Sequence, residues 1–508
     1  MVKKTIEKTP ARATKAPAKK VAPLTKLSPA ELRAAAKAKA AEEVSAKRPK
    51  LDIHAMYDDT IQVIAKRQGF ESSGLDVAPP MSTGLLQLDM VMGGGIRASM
   101  LTGAGQEQCA KTTVALNVMG AAIKENIPII GFMDFEGSTR NSKPYVHSIL
   151  KGMGIKLSMD QVFGVTDKNG VHTPGRVKYR AETILERFYD WLSEILRELP
   201  DKRYVEGKWW LVFDEKNKRH KAKVGDYVNS TMTKKYGNGL WVEAPDDKIQ
   251  GIIFVDSYTA MQPESKDEES NSNQLSVKAS AFSKQLERVK GRMSQKMVTV
   301  YGLNHLRANP MAMFGPKESE KGGNALQQFS DVRLRQTSRA LSAAPFSPVA
   351  DKKKDYNETE QSVEFEGKDV YRYVHIKAIK NKLWTPNRQC LIRIWVEDGS
   401  GTARGIDPVF DTIAYLKDTG QLSGTRKGFK LDLDGLGKAT KSMTWHQIKQ
   451  WILGSKETMT KASTYAGYKP MNLRAFCFKQ ITSGTAEKLY IDVQNSKAGS
   501  GDDEGGDE

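Results

Sequence analysis

Three uninterrupted apolar, β-rich runs punctuate the chain: IPIIGFMDF (127–135), GIIFVDSYTAM (251–261) and MVTVYGLNH (297–305). Strands that do not alternate apolar with polar residues are covered on both faces, and helical patterns lie between these three. One helix is expected over about 112–125, directly after a glycine-rich turn. Another is expected over about 275–295, with Phe282, Leu286, Val289 and Met293 on one face. Ile184, Leu185, Phe188, Leu192 and Ile195 mark a third. Buried strands separated by helices predict an α/β fold around a mostly parallel central sheet, beginning near Pro80.

The flanking pattern is different. KWWLVFDEKNKRHKAKV (208–224) predicts a β-hairpin turning near Lys216–Lys218, inside an insertion of about 200–248. After a polar linker at 340–360, SVEFEGKDVYRYVHIKAIKNK predicts another hairpin. These segments place the core at 80–405. Residues 406–495 predict a small C-terminal α/β domain, with Trp445, Ile448, Trp451 and Ile452 on one helix face. In the 51–79 stretch, Ile53, Met56, Tyr57, Ile61 and Ile64 predict a short amphipathic helix followed by a linker. Residues 1–50 are rich in Ala, Lys and Pro, cannot bury enough surface to offset ordering entropy, and are expected to form a disordered arm. Residues 496–508 read as an acidic disordered tail.

Composition narrows the classes. The 508 residues carry a formal charge of +18. The first fifty hold 14 Lys and Arg against 4 Glu, and the terminal GDDEGGDE carries −5, so the body retains +13. Such a balance suits a polyanionic partner. No run approaches the roughly 18 apolar residues of a membrane helix, and no apolar segment follows the Lys-rich start, so neither a membrane span nor a secretory signal is expected. Three scattered cysteines, Cys109, Cys390 and Cys477, offer neither a disulfide framework nor a zinc knuckle. A reducing, cytoplasmic compartment is expected.

The chemistry concentrates at LTGAGQEQCAKTTVALNV, which contains Gly105-x4-Ala110-Lys111-Thr112. A phosphate loop needs a glycine-rich turn whose N–H groups face phosphate oxygens at a helix N-terminus. Gly105, Gln106, Glu107, Gln108, Cys109, Ala110, Lys111, Thr112 and Thr113 are the expected nucleotide-binding residues. Lys111 would reach the β- and γ-phosphates and Thr112 would hold Mg²⁺. Ala110 stands where the second glycine of the motif belongs, and its methyl restrains the loop. Two further strands end in acids, at Asp134-Phe135-Glu136 and at Asp256-Ser257. Carboxylates at the C-terminal ends of parallel strands share the crevice of the phosphate loop, where one would serve Mg²⁺ and another would accept a proton from water. The plainer alternative is that these acids only cap strands.

STGLLQLDMVMGGG (82–95), the phosphate loop, GFMDFE (131–136), IIFVDSYTAMQP (252–263) and MFGPKESEKGGNALQQFSDVRLR (313–335) follow one another in the order seen in RecA recombinases. Over about 52–405, interrupted by the insertion, the chain resembles a divergent RecA of the bacteriophage type. The resemblance implies a RecA-like ATPase core, ATP and Mg²⁺ as cofactors, and Glu136 as the water-activating glutamate. It implies Asp256 as the Mg²⁺-associated acid and His305 in place of a γ-phosphate-sensing glutamine. Arg307, Phe314, Gly322 and Gly323 match positions of the second DNA-binding loop, and about 264–274 would be the first, although its sequence is acidic. KAIKNK (377–382) resembles a segment whose last two lysines, here Lys380 and Lys382, reach the nucleotide of the neighbouring subunit. The helix near 53–66 resembles one that packs on an adjacent protomer.

The expected function is an ATP-dependent recombinase that binds single- and double-stranded DNA and assembles as a helical homo-oligomer. Its catalytic set is Glu136, Lys111, His305, Lys380 and Lys382. Two alternatives stand beside it: a DNA-coating or mediator protein that does not hydrolyse ATP, and a ring-forming DNA motor on the same core.

Overall fold

The computed structural model describes residues 78–499 apart from 206, 215, 219, 221–232, 237–238, 265–273, 309–317, 321–322, 340–355, 358–361, 366–367, 396–404, 426–427 and 434–440, together with residues 30, 33 and 37. One compact unit spans Ser72–Glu508, and a separate one spans Met1–Glu71. Within the second of these, residues 30, 33 and 37 are helical, where the sequence predicts disorder. The amphipathic helix expected over 53–66, the rest of the basic arm and residues 500–508 of the acidic tail lie outside the described residues, while residues 496–499, expected to be part of the disordered tail, close the last helix instead.

The larger unit is built on α1 (Leu86–Met92), β1 (Met100–Gly105), α2 (Lys111–Lys124), β2 (Ile129–Asp134), β3 (Lys178–Ala181), α3 (Leu185–Glu198), β4 (Gly251–Asp256), α4 (Gln274–Gln295), β5 (Val298–Ala308), α5 (Gly323–Phe329), β6 (Val332–Arg339), β7 (Lys368–Asn381) and β8 (Gln389–Trp395). Six neighbouring strands, in the order β6-β1-β5-β4-β2-β3, are parallel. β7 and β8 continue the sheet antiparallel beyond β6. The hairpin expected in SVEFEGKDVYRYVHIKAIKNK is present, as Ser362–Phe365 pairs with β7.

Helices cover both faces of the sheet. Ile252 and Phe254 of β4 pack in one layer with Val114 and Val118 of α2. Ile253 and Val255 point the other way, toward Phe188 and Leu192 of α3 and Phe282, Leu286 and Val289 of α4. Successive side chains of a strand face opposite sides, so a strand covered twice needs an apolar residue at every position. That requirement is the physical content of GIIFVD.

The insertion departs from the expected hairpin. The strand Lys208–Asp214 pairs antiparallel with Asp201–Val205 on one side and with Gly239–Glu243 on the other, and Thr233–Tyr236 completes a four-stranded sheet. A turn does follow Asp214, where the Asn217 and Lys216 amides donate to its backbone and side-chain oxygens. One partner, Asp201–Val205, directly precedes this strand, and the other lies well downstream, where local pattern carries no signal for it. Val205, Trp210 and Trp241 form this sheet's own apolar centre. Where the insertion joins the core, Lys202 Nζ donates to the Lys248 carbonyl at 2.6 Å and Gln250 Nε2 to the Pro200 carbonyl at 2.9 Å.

The C-terminal part contains α6 (Pro408–Asp418), the hairpin Leu422–Thr425/Gly428–Leu431, α7 (Trp445–Leu453), α8 (Lys456–Tyr465), α9 (Leu473–Thr482) and α10 (Thr485–Gly499). Its cluster includes Ile448, Trp451 and Ile452, three of the four residues predicted for one helix face, and Leu86 of α1. Asp411 joins this cluster to the core. Its carboxylate accepts the Leu86 and Gln87 amides at the start of α1 and pairs with Arg474 at 2.7 Å.

Candidate functional site

Parallel register brings the predicted residues together. Gly105 at the end of β1 lies beside His305 of β5, and Asp134 at the end of β2 lies beside Asp256 of β4. The loop after β1 leads directly into α2. Gly105 is required by close approach, because a Cβ there would lie 2.3 Å from Cys109 Sγ and 2.5 Å from the Gln336 carbonyl oxygen. Gln106, Glu107 and Gln108 are exposed and Cys109 is buried. Ala110 takes a left-handed conformation, φ 60°, immediately before α2. An L-residue with a Cβ is strained there by about 1 kcal/mol relative to glycine.

Lys111 is buried, and its ammonium donates to the Gly105 carbonyl at 3.1 Å and the Gln106 carbonyl at 2.6 Å, which centres the cation in the loop. Thr113 follows in the first turn of α2. Thr112 Oγ1 donates to Asp256 Oδ2 at 3.0 Å. Asp256 is buried beside Glu136 and Asp134, and burial followed by those like charges pushes its carboxyl up to about 7.

Glu136 is held differently. His305 Nε2–H donates to Glu136 Oε1 at 3.1 Å, and the Ser257 hydroxyl donates to the same oxygen. The His305 hydrogen bond, reinforced by Ser257 and opposed by burial, keeps this carboxyl below the usual glutamate range. The His305 backbone is braced in turn, its amide donating to Thr259 Oγ1 and Asn304 Oδ1, both at 3.0 Å. Ser257, Thr259 and Asn304 were not singled out in the sequence. Their only signal is position, at the ends of the same two strands.

Hard oxygen donors and crowded carboxylates suit a divalent cation. Thr112 and Asp256 together offer the hydroxyl and carboxylate oxygens that Mg²⁺ takes, and a cation would relieve the repulsion that raises Asp256. Among the described residues, no group of three or more His, Cys, Asp or Glu forms a metal cluster.

Lys380 and Lys382 are not brought to this site within the chain. Lys380 pairs with Arg333 near the start of β6, whereas Gln336, three residues further on, lies beside Gly105. Lys380 therefore stands two strands away from β1 and roughly 10 Å from the level of the loop along the strands. Lys380 Nζ donates to the Gln327 and Gln328 carbonyls at the end of α5. Arg307 lies on β5, where it pairs with Ser319 of the strand Glu318–Glu320, and Gly323 begins α5. Phe314, Gly322 and most of 264–274 lie outside the described residues.

The family profile of the RecA N-terminal domain matches residues 246–401, a stretch that includes Asp256, His305, Lys380 and Lys382. Over this part of its length the chain is similar to the RecA family, at low identity. It is 28% identical over 213 residues to protein RecA of Mesoplasma florum, covering 41% of this chain and 54% of that protein. It is 26% identical over 248 residues to RecA of Borrelia turicatae, covering 46% and 61%. With RecA of Thermus aquaticus it shares 25% over 188 residues, covering 37% and 48%. The chain spans about half the length of the curated RecA proteins it matches. Among the described residues no helix is long and apolar enough to cross a membrane.

Proposed function

We propose that this chain is an ATP-dependent DNA recombinase, which assembles as a helical filament on single-stranded DNA, pairs it with homologous duplex and exchanges strands. The observation that supports this best is the convergence of Lys111, Thr112, Asp256, Glu136 and His305 at neighbouring strand ends.

In this reading the loop from Gly105 to Thr113 cradles ATP, and the Lys111 ammonium turns from the loop carbonyls to the β- and γ-phosphate oxygens. Thr112 and Asp256 would hold Mg²⁺, which supplies charge neutralisation at the phosphates. Both Ser257 and His305 engage Oε1 of Glu136, so Oε2 is the oxygen that takes a proton from attacking water. His305 contacts Glu136 while its strand runs on to Arg307, so one rigid element links the hydrolytic glutamate to the DNA-facing segment. Lys380 and Lys382, two strands away from the phosphate loop, suit a role toward the nucleotide of the next subunit. Head-to-tail repetition of such an interface builds a helix.

Electron microscopy and phosphate release with single-stranded DNA test this reading. Filaments and DNA-stimulated turnover are expected with ATP, and Lys111→Ala should abolish both. DNA coating without turnover would favour the mediator alternative, and rings the motor. Mixing the inactive Glu136→Gln protein with the inactive Lys380→Ala/Lys382→Ala protein tests the lysines. About a quarter of random head-to-tail interfaces would then be complete, so activity should reappear. Co-filaments that stay inactive would remove the lysines from the active site.

A further inference from the structure

A cavity of about 680 Å³ lies far from the phosphate loop, between the C-terminal end of α2 and the helices α7 and α9. Its size is that of a small-molecule site. Leu85, Met153, Ile406, Ile452, Leu453 and Phe478 supply an apolar wall. Most polar groups around it are already engaged. Glu125 accepts the Ser82 amide at 2.9 Å, and Asp89 accepts the Thr83 amide at 2.8 Å and the hydroxyls of Ser82 and Thr83. Lys248 Nζ donates to the Glu125 carbonyl. Arg474 pairs with Asp411, donates to the Gly84 carbonyl and lies over the Phe478 ring.

Lys124 differs. It lines the same cavity, yet its side chain makes no hydrogen bond or ion pair among the described residues. Lys124 stands exposed at the rim of the cavity, where partial burial, and then the nearby Arg474 charge, hold it below the usual lysine range. Asp411, the acid paired with Arg474, is fully buried on the side of α1, and Glu125 is turned toward Ser82. An anion placed beside Lys124 would meet the group that lacks a counter-charge, and the rest of the ligand would cover the apolar wall.

We propose that this cavity binds a small amphipathic anion, an aromatic or aliphatic body carrying a single acidic head, with Lys124 as the head's partner. The site is separate from the nucleotide loop and does not depend on the recombinase reading. α2 begins at Lys111 and ends at Lys124, so one 14-residue helix has the phosphate loop at one end and this cavity at the other.

The probe is 8-anilinonaphthalene-1-sulfonate, whose fluorescence is titrated against the full-length protein. One site per chain is expected, unaffected by saturating ATP and retained in Lys111→Ala. Lys124→Gln should weaken binding about tenfold, the worth of one charge-assisted contact. Lys124 is exposed enough for this change to leave folding intact. Leu453→Trp, at a position 53% exposed, should block the cavity sterically. N-phenyl-1-naphthylamine, the same body without the sulfonate, should bind about tenfold more weakly than the sulfonate. Absence of binding, binding that survives both variants, or displacement by ATP would overturn the site. Equal affinity for the two dyes would overturn its anionic character.

Discussion

Asp256→Asn should make the metal-free protein more stable, and the size of the gain follows from the carboxyl's surroundings. The group is 3% exposed and shifts from 3.8 to about 7 on folding, chiefly through burial and the neighbouring Glu136 and Asp134 charges. A carboxyl whose folded value is raised works against folding once the chain must hold it ionised. Below pH 3.8 both states are protonated and the penalty is absent; it grows as pH rises and is complete above 7. At about 1.4 kcal/mol per pH unit it reaches about 4 kcal/mol at pH 8, and about 2 kcal/mol at pH 5. Asparagine keeps an oxygen to accept the Thr112 hydroxyl, and its amide can donate toward the adjacent carboxylates. Thermal unfolding of both proteins in EDTA, at pH 8 and at pH 5, measures the effect. A higher midpoint for the variant at pH 8, shrinking at pH 5, is expected, alongside loss of ATP hydrolysis. Equal midpoints at pH 8, or a gain that does not shrink on acidification, would refute the electrostatic account.

Three further outcomes are expected. Ala110→Gly removes a left-handed alanine and should stabilise the protein by about 1 kcal/mol in denaturant titration without loss of ATP binding. Ser257→Ala takes one of two donors from Glu136 Oε1, so kcat for ATP hydrolysis should fall about tenfold with KM little changed. Asp411→Ala leaves Arg474 and the first amides of α1 unpaired in a buried place. It should cost about 3 kcal/mol, with hydrogen exchange rising first in α1 and α9.

Elements buried on both faces were the most legible. β2, β4 and β5 advertise themselves as apolar runs because each must satisfy two helix layers at once. Asp134 and Asp256 close β2 and β4, and the parallel register sets those two strand ends side by side. β3 escaped notice: KYRA lies at the sheet edge, three of its four residues are exposed, and such a strand needs no apolar pattern. The strand in the insertion was paired wrongly, because Lys208–Asp214 finds Gly239–Glu243 across a long stretch of chain. Ser257 bonding Glu136, and Asp411 capping a helix that begins 325 residues earlier, are products of the assembled fold. Neither follows from spacing along the chain.

The neck of the insertion has a consequence for how the chain tolerates change. The excursion leaves at Pro200 and returns at Gln250, and a single side-chain bond spans the two ends. The Lys202 bond to Lys248 closes the same neck two residues further in. Because the distance between the ends is set by the core, the intervening length is nearly free to vary. Loop-closure entropy grows only logarithmically, so doubling or halving the excursion changes stability by about 0.6 kcal/mol. The four-stranded sheet is therefore a cassette on a fixed socket. A short Gly-Ser bridge, or a foreign domain with closely spaced termini, should seat between Lys202 and Lys248, which keeps the core residue Ile249, while β4 still delivers Asp256 to the phosphate loop.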